Sequence, residues 1–360
     1  MKELLELAFP IRIVFALLLA LAISFLTTPL VKRMASKVGA MDIPRDNRRM
    51  HDHPIPRMGG LAIAIAFIFA VLLFTKIDRQ MQGILLGSIV LLVLGVFDDS
   101  LRLKATPKLI VQLFAAGIAV YHGCTIRYVT NPFSSLDGSY FDLGILSVPV
   151  SVIWIVALTN AVNFIDGLDG LAVGVSAISA LSMLVISILV ADAGIAVTLA
   201  ALLGACLGFI PYNFNPAKIF MGDTGSTFLG FILATLSIQG MFKLYAIISF
   251  VVPFLILGIP IFDICFAVIR RLIRHQNPMT ADRGHIHHCL IDMGFSQKQT
   301  VAITYILSGT LGLAAVLLTT SSEMKALILI ASVVIVAALG ILLVFGPHKK
   351  REEPEKEEVK

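Results

Sequence analysis

Long apolar stretches separated by short polar segments run through most of the chain. A helix needs about 20 mostly apolar residues to cross a bilayer, so each stretch is a candidate transmembrane helix. The candidates are residues 11–30, 60–75, 82–97, 107–121, 146–163, 170–190, 194–212, 225–241, 244–272, 300–319 and 325–346. This pattern predicts an all-α polytopic membrane protein with about 11 transmembrane helices.

The composition supports a membrane protein and excludes an ordinary soluble enzyme. Apolar residues make up 58% of the 360 residues and charged residues only 14%, whereas about 25% of the residues in soluble domains are charged. The net charge of +5 is explained by positively charged cytoplasmic loops rather than by nucleic-acid binding. The four cysteines are scattered without a C-x-x-C pair and indicate neither a zinc site nor a disulfide framework.

Lys and Arg residues are distributed unevenly between the two sets of loops. Three quarters of the 28 lie after the odd-numbered candidate helices, the C-terminal tail included. Because such residues are enriched in cytoplasmic loops, the N-terminus is predicted outside and the C-terminus in the cytoplasm. Residues 122–145, on the outside, contain β-type residues and a turn at 136–138, which predict a small extracytoplasmic β-hairpin. Residues 1–346 are interpreted as one integral-membrane domain and residues 347–360 as a disordered cytoplasmic tail.

Two features of the apolar stretches concern helix packing. The candidate at 244–272 is too long for one upright crossing and contains Pro253 and Pro260, so a kinked helix is predicted. A kinked helix that leans out of the bundle could open a groove for a long hydrocarbon, although kinks are also common without such a role. Small-residue pairs predict close helix–helix contact at Gly83/Gly87, Gly170/Gly174 and Gly204/Gly208.

The acidic and histidine clusters all fall on the side assigned as cytoplasmic. In chain order they are Asp98 with Asp99, Asp166 with Asp169, Asp223, and His285 with His287 and His288. A carboxylate at a helix start is often only an N-cap, which is the alternative for Asp169 and Asp223. Five carboxylates at one face of apolar helices instead favour a shared cation, because like charges in a partly desolvated place repel. Carboxylate oxygens suit Mg²⁺, which bridges them to substrate phosphates.

The sequence contains no P-loop and no dinucleotide-binding fingerprint. The cations available for phosphate include Lys108 and Arg283, although Lys108 is also typical of a helix-end residue whose amine reaches the interface. The first cytoplasmic loop offers further arginines, for most of which the positive-inside rule is a sufficient explanation: Arg45, Arg48, Arg49 and Arg57. The three histidines beside Arg283 match no H-E-x-x-H pattern and have no cysteine pair nearby. They favour recognition of a phosphorylated, hydroxyl-rich ligand over a zinc site.

Five segments in order resemble the polyprenyl-phosphate N-acetylhexosamine-1-phosphate transferases, a glycosyltransferase family 4-like group of bacterial membrane enzymes. They are Pro56 to Gly60, Phe97-Asp98-Asp99, Asn163 to Gly170, Phe220 to Ser226, and His285-Ile286-His287-His288. The branch most similar is that of the undecaprenyl-phosphate N-acetylglucosaminyl-1-phosphate transferases. The sister branch, which transfers phospho-N-acetylmuramoyl-pentapeptide, usually has three consecutive histidines.

The resemblance implies a transferase at the cytoplasmic face of the cell membrane. It would move N-acetylglucosamine-1-phosphate from UDP-N-acetylglucosamine to polyprenyl (undecaprenyl) phosphate, release UMP, and begin the synthesis of teichoic acid or a similar envelope glycan. Mg²⁺ is the implied cofactor, with Mn²⁺ as a substitute. The implied partners are the two substrates and membrane lipid, without nucleic acid, and a homodimer is a further expectation.

Two alternatives remain open at this point. One is phospho-N-acetylmuramoyl-pentapeptide transfer, and the other is secondary transport of an anionic solute. Transporters tend to place their sites at the membrane midplane within repeated halves. The chain shows no such repeat and its acids crowd one face, which disfavours transport.

The resemblance also implies roles for individual residues. Asp98, Asp99 and Asp223 would be catalytic, with Asp99 and Asp223 as the metal ligands and Asp98 orienting or deprotonating the polyprenyl phosphate. The implied substrate-binding residues are Lys108, Asn163, Asp166, Asp169, Arg283, His285, His287 and His288. Direct transfer and a covalent aspartyl intermediate both remain open.

Overall fold

The computed structural model of the chain is predominantly helical. It describes residues 2–5, 8–44, 53–130, 140–190, 192–240, 248–273, 285–320, 331–332 and 335. The helices are α1 (Lys2–Leu5), α2 (Phe9–Lys37), α3 (Gly60–Phe74), α4 (Arg79–Leu101), α5 (Ala105–Tyr121), α6 (Ser147–Ile165), α7 (Leu171–Leu189), α8 (Ala193–Asn213), α9 (Gly222–Gly240), α10 (Ile248–Ile256), α11 (Gly258–Ile273), α12 (Ile286–Asp292) and α13 (Gln297–Thr320). A short 3₁₀ helix, Gly144–Leu146, precedes α6.

Two small antiparallel ladders accompany the described helices. Strand β1 (Met41–Asp42) pairs with β2 (Ile55–Pro56), so that Met41 lies opposite Pro56. Strand β3 (Tyr128–Thr130) pairs with β4 (Tyr140–Asp142), with Val129 opposite Phe141. The turn predicted at 136–138 lies outside the described residues, and the side of the membrane on which β3 and β4 lie stays a prediction.

The prediction of an all-α membrane protein is confirmed. Within the described residues, six helices are long and apolar enough to cross a membrane, and α3 and α5 are shorter apolar helices. The six are Phe9–Lys37, Arg79–Leu101, Gly144–Ile165, Leu171–Leu189, Ala193–Asn213 and Gln297–Thr319. The number of crossings stays a prediction. The candidate at 325–346 lies outside the described residues apart from positions 331, 332 and 335, and so does the predicted tail at 347–360.

Helix α9 is the centre of the bundle. It packs against α3, α4, α6 and α7, and all of its residues except Asp223 are buried. An α-helix with no polar face is stable only when other apolar elements surround it. The charged side chain of this central helix, Asp223, therefore lies in its first turn.

The predicted close packing is confirmed at two of the three small-residue pairs, Gly83/Gly87 and Gly204/Gly208, whereas Gly170 precedes α7 and a Cβ atom there would meet nothing closer than 3.3 Å. A Cβ atom added at Gly204 would overlap the carbonyl oxygen of Leu17, and one added at Gly208 would overlap that of Leu21. Helix α8 thus lies directly against the backbone of α2, with which it has its most extensive contact. Because only a hydrogen fits at such contacts, the two helices approach more closely than larger side chains would allow.

The predicted kink in the long candidate helix is also confirmed. The helix breaks at Leu257, between α10 and α11, and the break lies between Pro253 and Pro260. Proline removes a backbone donor and clashes with the preceding turn, which accounts for a break at this point. Helix α13 packs against both halves. Residues 244–247 of the candidate lie outside the described residues.

Candidate active site

Asp99 joins the C-terminal end of α4 to the N-terminal end of α9. Its Oδ1 accepts a hydrogen bond from the backbone N–H of Asp223 (3.0 Å), and its Oδ2 accepts from the N–H (3.1 Å) and hydroxyl (2.6 Å) of Thr224. The first N–H groups of a helix have no partner within the helix, so a carboxylate is a favourable cap there. Gly222 has φ +72°, and a Cβ atom at that position would overlap the Asp99 carboxylate. Glycine is therefore required for this contact.

Asp223 is not the cap of its own helix. Its Oδ2 accepts a hydrogen bond of 2.6 Å from Nζ of Lys108, and its Oδ1 lies 3.4 Å from Nη2 of Arg57. Since Asp99 caps α9 from another helix, the carboxylate of Asp223 faces the two cations instead. The simple-cap alternative for Asp223 does not agree with this geometry.

Lys108 bridges two acids from different helices. Its Nζ lies 2.9 Å from Oδ2 of Asp98 and 2.6 Å from Oδ2 of Asp223. The other oxygen of Asp98 accepts a 2.7 Å hydrogen bond from the backbone N–H of Leu103, which holds the turn between α4 and α5. Such charge-assisted contacts are stronger than neutral ones and fix the ends of α4, α5 and α9 relative to one another.

Arg57 is a site residue that the sequence analysis considered as an available cation but did not select. It follows β2 and lies with Nε 3.3 Å from Oδ1 of Asp99 and Nη2 3.4 Å from Oδ1 of Asp223. The backbone N–H groups of Gly59 and Gly60 donate to the carbonyls of Phe220 and Met221, which holds this segment beside the start of α9. The sequence signal for Arg57 was its position in the Pro56–Gly60 segment. The positive-inside rule, however, already explained an arginine in that loop.

The segment between α6 and α7 lies along the same end of the bundle. Asn163 donates a 2.7 Å hydrogen bond to the hydroxyl of Ser226, in the second turn of α9. Asp166 ends α6. Loss of surrounding water, followed by the charge of Asp223, raises the pKa of Asp166 to about 8. The carboxyl group of Asp166 is therefore largely protonated at neutral pH when no further cation is bound.

Asp169 uses its carboxylate within the protein. Its Oδ2 accepts hydrogen bonds of 3.0 Å from the side-chain amide of Asn215 and from the backbone N–H of Ala217. These contacts hold the turn between α8 and α9, and Gly170 is tied to the same turn through Asn213 (3.1 Å). The geometry therefore gives Asp169 a structural contact, and its predicted contact with substrate stays a prediction.

The histidines lie beside this segment. The ring of His287 packs so closely on Gly167 that a Cβ atom there would overlap it. Ring stacking joins His285 to Phe164, with centroids 5.7 Å apart, and to His287, at 5.8 Å. Burial, and then the neighbouring His288, lowers the pKa of His287 to about 3, so its ring is neutral at physiological pH. Arg283 lies outside the described residues.

The cluster has more acidic than basic groups. Five carboxyl groups interact with the cations of Arg57 and Lys108: Asp42, Asp98, Asp99, Asp166 and Asp223. Within the described residues, no three His, Cys, Asp or Glu side chains converge on one point as a ready metal cage. Mg²⁺ often takes only one or two carboxylates and completes its shell with water and phosphate oxygens. Asp223 and Asp98 could serve in this way. The side chain of Asp99 is fully buried and both its oxygens are engaged, so its predicted metal role stays a prediction.

Comparison with known proteins shows the family of the chain. The model for "Glycosyl transferase family 4" matches residues 81–241. A probable undecaprenyl-phosphate N-acetylglucosaminyl 1-phosphate transferase of Bacillus subtilis is 40% identical over 90% of this chain and 90% of its own length. The chain belongs to glycosyl transferase family 4. The predicted resemblance to the polyprenyl-phosphate N-acetylhexosamine-1-phosphate transferases, and to their N-acetylglucosaminyl branch, is thereby confirmed.

Two further relatives extend the comparison. A decaprenyl-phosphate N-acetylglucosaminephosphotransferase of Mycobacterium tuberculosis is 31% identical over 83% of this chain and 80% of its own length. An undecaprenyl-phosphate alpha-N-acetylglucosaminyl 1-phosphate transferase of Thermotoga maritima is 32% identical over 74% of this chain and 78% of its own length. The region matched by the family model includes the acids of α4, the 163–170 segment and the start of α9, and ends before the histidines.

The contacts of Asp169 lead to a stability prediction. Replacing Asp169 by Ala leaves the Ala217 N–H without its acceptor, so the variant should lose about 2 kcal/mol of stability and unfold at a lower temperature. The matched control is Asp292→Ala, because Asp292 is exposed. Thermal unfolding of both purified proteins in the same detergent checks this. An Asp169→Ala protein as stable as the control but unable to bind nucleotide would show that the carboxylate contacts ligand instead.

Proposed function

We propose that this protein transfers N-acetylglucosamine-1-phosphate from UDP-N-acetylglucosamine to a polyprenyl phosphate. An oxygen of the polyprenyl phosphate forms a bond to the sugar-bearing phosphorus of the nucleotide sugar. The bond from that phosphorus to the bridging oxygen breaks, and the oxygen leaves with UMP. The product is a polyprenyl-diphospho-N-acetylglucosamine. The names of the family 4 relatives, which specify a polyprenyl-phosphate acceptor and N-acetylglucosamine, support both halves of this reaction.

The observation that carries the proposal is the position of Lys108 and Arg57 on either side of Asp223. Phosphoryl transfer requires mainly that two phosphate groups be positioned and their negative charge neutralised. Lys108 and Arg57 supply positive charge for this purpose, and their contacts with acids hold both side chains in position. A lipid phosphate and a soluble nucleotide can meet only near the membrane surface, which is where this cluster would lie.

The donor set of the cluster fits a magnesium ion. Asp223, with Asp98 or Asp99 beside it, would hold the ion, and Mn²⁺ offers the same coordination preference for oxygen. When bound, the ion would neutralise charge on the phosphate oxygens. The surplus of acidic over basic side chains supports this, because a divalent cation would offset it. Lys108 and Arg57 would then bind the phosphate oxygens that carry the remaining charge.

Asp98 would contact the acceptor phosphate. Its Oδ2 already bonds to Lys108, so a phosphate that enters beside Lys108 meets both groups. The second pKa of a phosphate monoester is about 6, and most of the acceptor is therefore fully ionised at neutral pH. Asp98 would accept the proton from acceptor phosphate that is still singly ionised. For acceptor phosphate that is already fully ionised, Asp98 would only orient Lys108.

The nucleotide sugar would occupy the side of the cluster formed by Asn163, Asp166 and the histidines. The neutral ring of His287 offers one donor and one acceptor, which suits sugar hydroxyl or amide groups. The carboxyl group of Asp166 offers further oxygen acceptors to the same groups. Arg283 would belong to the same side.

The active site is assigned to the cytoplasmic side of a cell membrane. Lys32, Arg33 and Lys37 lie at the end of α2 that leads into β1, and β1 pairs with the strand preceding Arg57. Arg270 and Arg271 lie in the last turn of α11. Because Lys and Arg are enriched at cytoplasmic helix ends, these positions support the assignment.

The transporter alternative receives no support from this geometry. Asp98, Asp99 and Asp223 lie at helix ends at one end of the bundle, whereas transporter sites lie near the midplane. The relatives' names contain N-acetylglucosamine, which disfavours transfer of phospho-N-acetylmuramoyl-pentapeptide.

The reaction can be measured directly. Purified protein with Mg²⁺, UDP-N-acetylglucosamine and undecaprenyl phosphate should release UMP and form a labelled lipid, and omission of the lipid should abolish both products. A panel of UDP-sugars defines the donor. Absence of UMP release, together with uptake of an anionic solute by vesicles containing the protein, would contradict the transferase and favour transport.

Replacement of Asp223 by Asn should lower the rate of UMP release by about a hundredfold, the usual scale for losing one group that stabilises transition-state charge. The variant should remain folded, since Asp99 and not Asp223 caps α9. Asp142→Asn is the matched control, because Asp142 is exposed and precedes the Gly144–Leu146 helix far from the cluster in sequence. An Asp223→Asn protein with the activity of the control would contradict the assigned role.

A further inference from the structure

Asp263 is a buried acid that the proposed reaction does not use. It lies in α11, is 1% exposed, and is the one acidic residue within the apolar residues 248–273. A carboxylate in such a helix is unfavourable unless it has strong partners, and acids in this position commonly have a functional role. The sequence analysis did not select it.

Both oxygens of Asp263 bind the start of α12. Oδ2 lies 2.7 Å from Nδ1 of His285, and Oδ1 accepts a 2.7 Å hydrogen bond from the backbone N–H of Ile286. Helix α12 has no side-chain cap of its own at His285. Asp263 therefore acts as the cap from a neighbouring helix and fixes both the backbone and the ring of the first histidine.

The contact also determines which ring nitrogen of His285 carries the proton. A carboxylate only accepts hydrogen bonds, so Nδ1 must be the donor. In the neutral ring Nε2 is then left as an acceptor, and in the charged ring it is a second donor. Asp263 excludes the neutral form in which Nε2 donates and Nδ1 accepts.

The position of His285 matters for the rest of the histidine segment. Its ring is stacked between Phe164 and His287, and the His287 ring packs on Gly167. A displaced His285 would shift both histidines relative to the 163–170 segment. By contrast, the described contacts of Asp98 and Lys108 involve α4, α5 and α9 and not α11 or α12.

We propose that Asp263 is a positioning residue for the sugar-nucleotide side of the active site. It acts through His285, whose tautomer and orientation it sets, and it ties the second half of the kinked helix to that side. The inference rests on the proposed function, in which the histidines face the nucleotide sugar. It predicts that loss of the carboxylate weakens the use of UDP-N-acetylglucosamine and leaves the use of polyprenyl phosphate nearly unchanged.

The first test replaces Asp263 by Asn. The amide oxygen can still accept from Ile286, but the amide N–H₂ now faces Nδ1 of His285 and forces the opposite tautomer, a change that disables other Asp–His pairs. We expect equilibrium binding of UDP-N-acetylglucosamine to weaken by about tenfold, with a matching rise in KM, each corresponding to about 1.4 kcal/mol. The KM for undecaprenyl phosphate should stay within roughly twofold. Asp292→Asn, an exposed acid on α12, is the matched control.

The second test asks whether Asp263 acts through His285. His285→Gln alone and the double variant Asp263→Asn/His285→Gln should bind UDP-N-acetylglucosamine equally weakly, since groups that act as one unit are not additive. Fully additive losses would overturn the proposal. So would an Asp263→Asn protein with native binding, or one in which both substrates are affected equally.

A third variant covers the case in which Asp263→Asn does not fold. His285→Asn keeps a side-chain N–H close to the position of Nδ1–H, so it can still donate to Asp263 and should remain folded. It should nevertheless bind UDP-N-acetylglucosamine about tenfold more weakly, and native binding would overturn the proposal. Measurements of binding and of turnover distinguish failure of the proposed transferase function from failure of the proposed role of Asp263. An unmodified protein that binds the nucleotide sugar but releases no UMP contradicts the proposed function, whereas unaltered binding in the variants contradicts only the role of Asp263.

Discussion

Acids placed at the ends of apolar helices need partners, and this requirement organises the whole of the described site. Asp99 is satisfied by the N-terminus of α9, and Asp223 and Asp98 are satisfied by Lys108 and Arg57. The contacts made by Asp99 and Asp223 join elements that are distant in sequence, whereas Asp98 and Lys108 join the consecutive helices α4 and α5. The same charges that hold α4, α5 and α9 together are therefore the charges available to a phosphate substrate, so stability and function depend on one network.

The position of α9 makes this network possible. Asp223 is the residue of α9 that is not buried, and it lies in the first turn, where the ends of α4 and α5 contact it. Around α9, two segments are held by hydrogen bonds from backbone N–H groups. Gly59 and Gly60 donate to the carbonyls of Phe220 and Met221, and Ala217, in the turn after α8, donates to the side chain of Asp169. Main-chain hydrogen bonds thus hold the segments that flank the cluster, and the side-chain contacts of Lys108 and Arg57 complete it.

Much of this arrangement was predictable from the sequence because membrane helices have a strong apolar signal. The described helices follow the predicted segments, the kink lies between the two prolines, and Asp98, Lys108 and Asp223 meet as their shared face suggested. Arg57 was not selected because loop arginines have a sufficient topological explanation. Asp263 and the contacts of Asp169 were missed for two reasons. Ile286 and Ala217 contribute backbone N–H groups that carry no sequence signal, and the side-chain partners, His285 and Asn215, lie 22 and 46 residues away along the chain.

The proposed site is tested most directly by electron paramagnetic resonance of Mn²⁺ added to the purified protein with UDP-N-acetylglucosamine. We expect one bound ion per chain, because the cluster has a surplus of acids and the nucleotide phosphates complete an oxygen shell. Asp223→Asn should lose that ion, and Asp142→Asn should keep it. Binding that is unchanged in Asp223→Asn, or no bound ion in the native protein that releases UMP, would contradict the assignment of this cluster as the phosphate-transfer site.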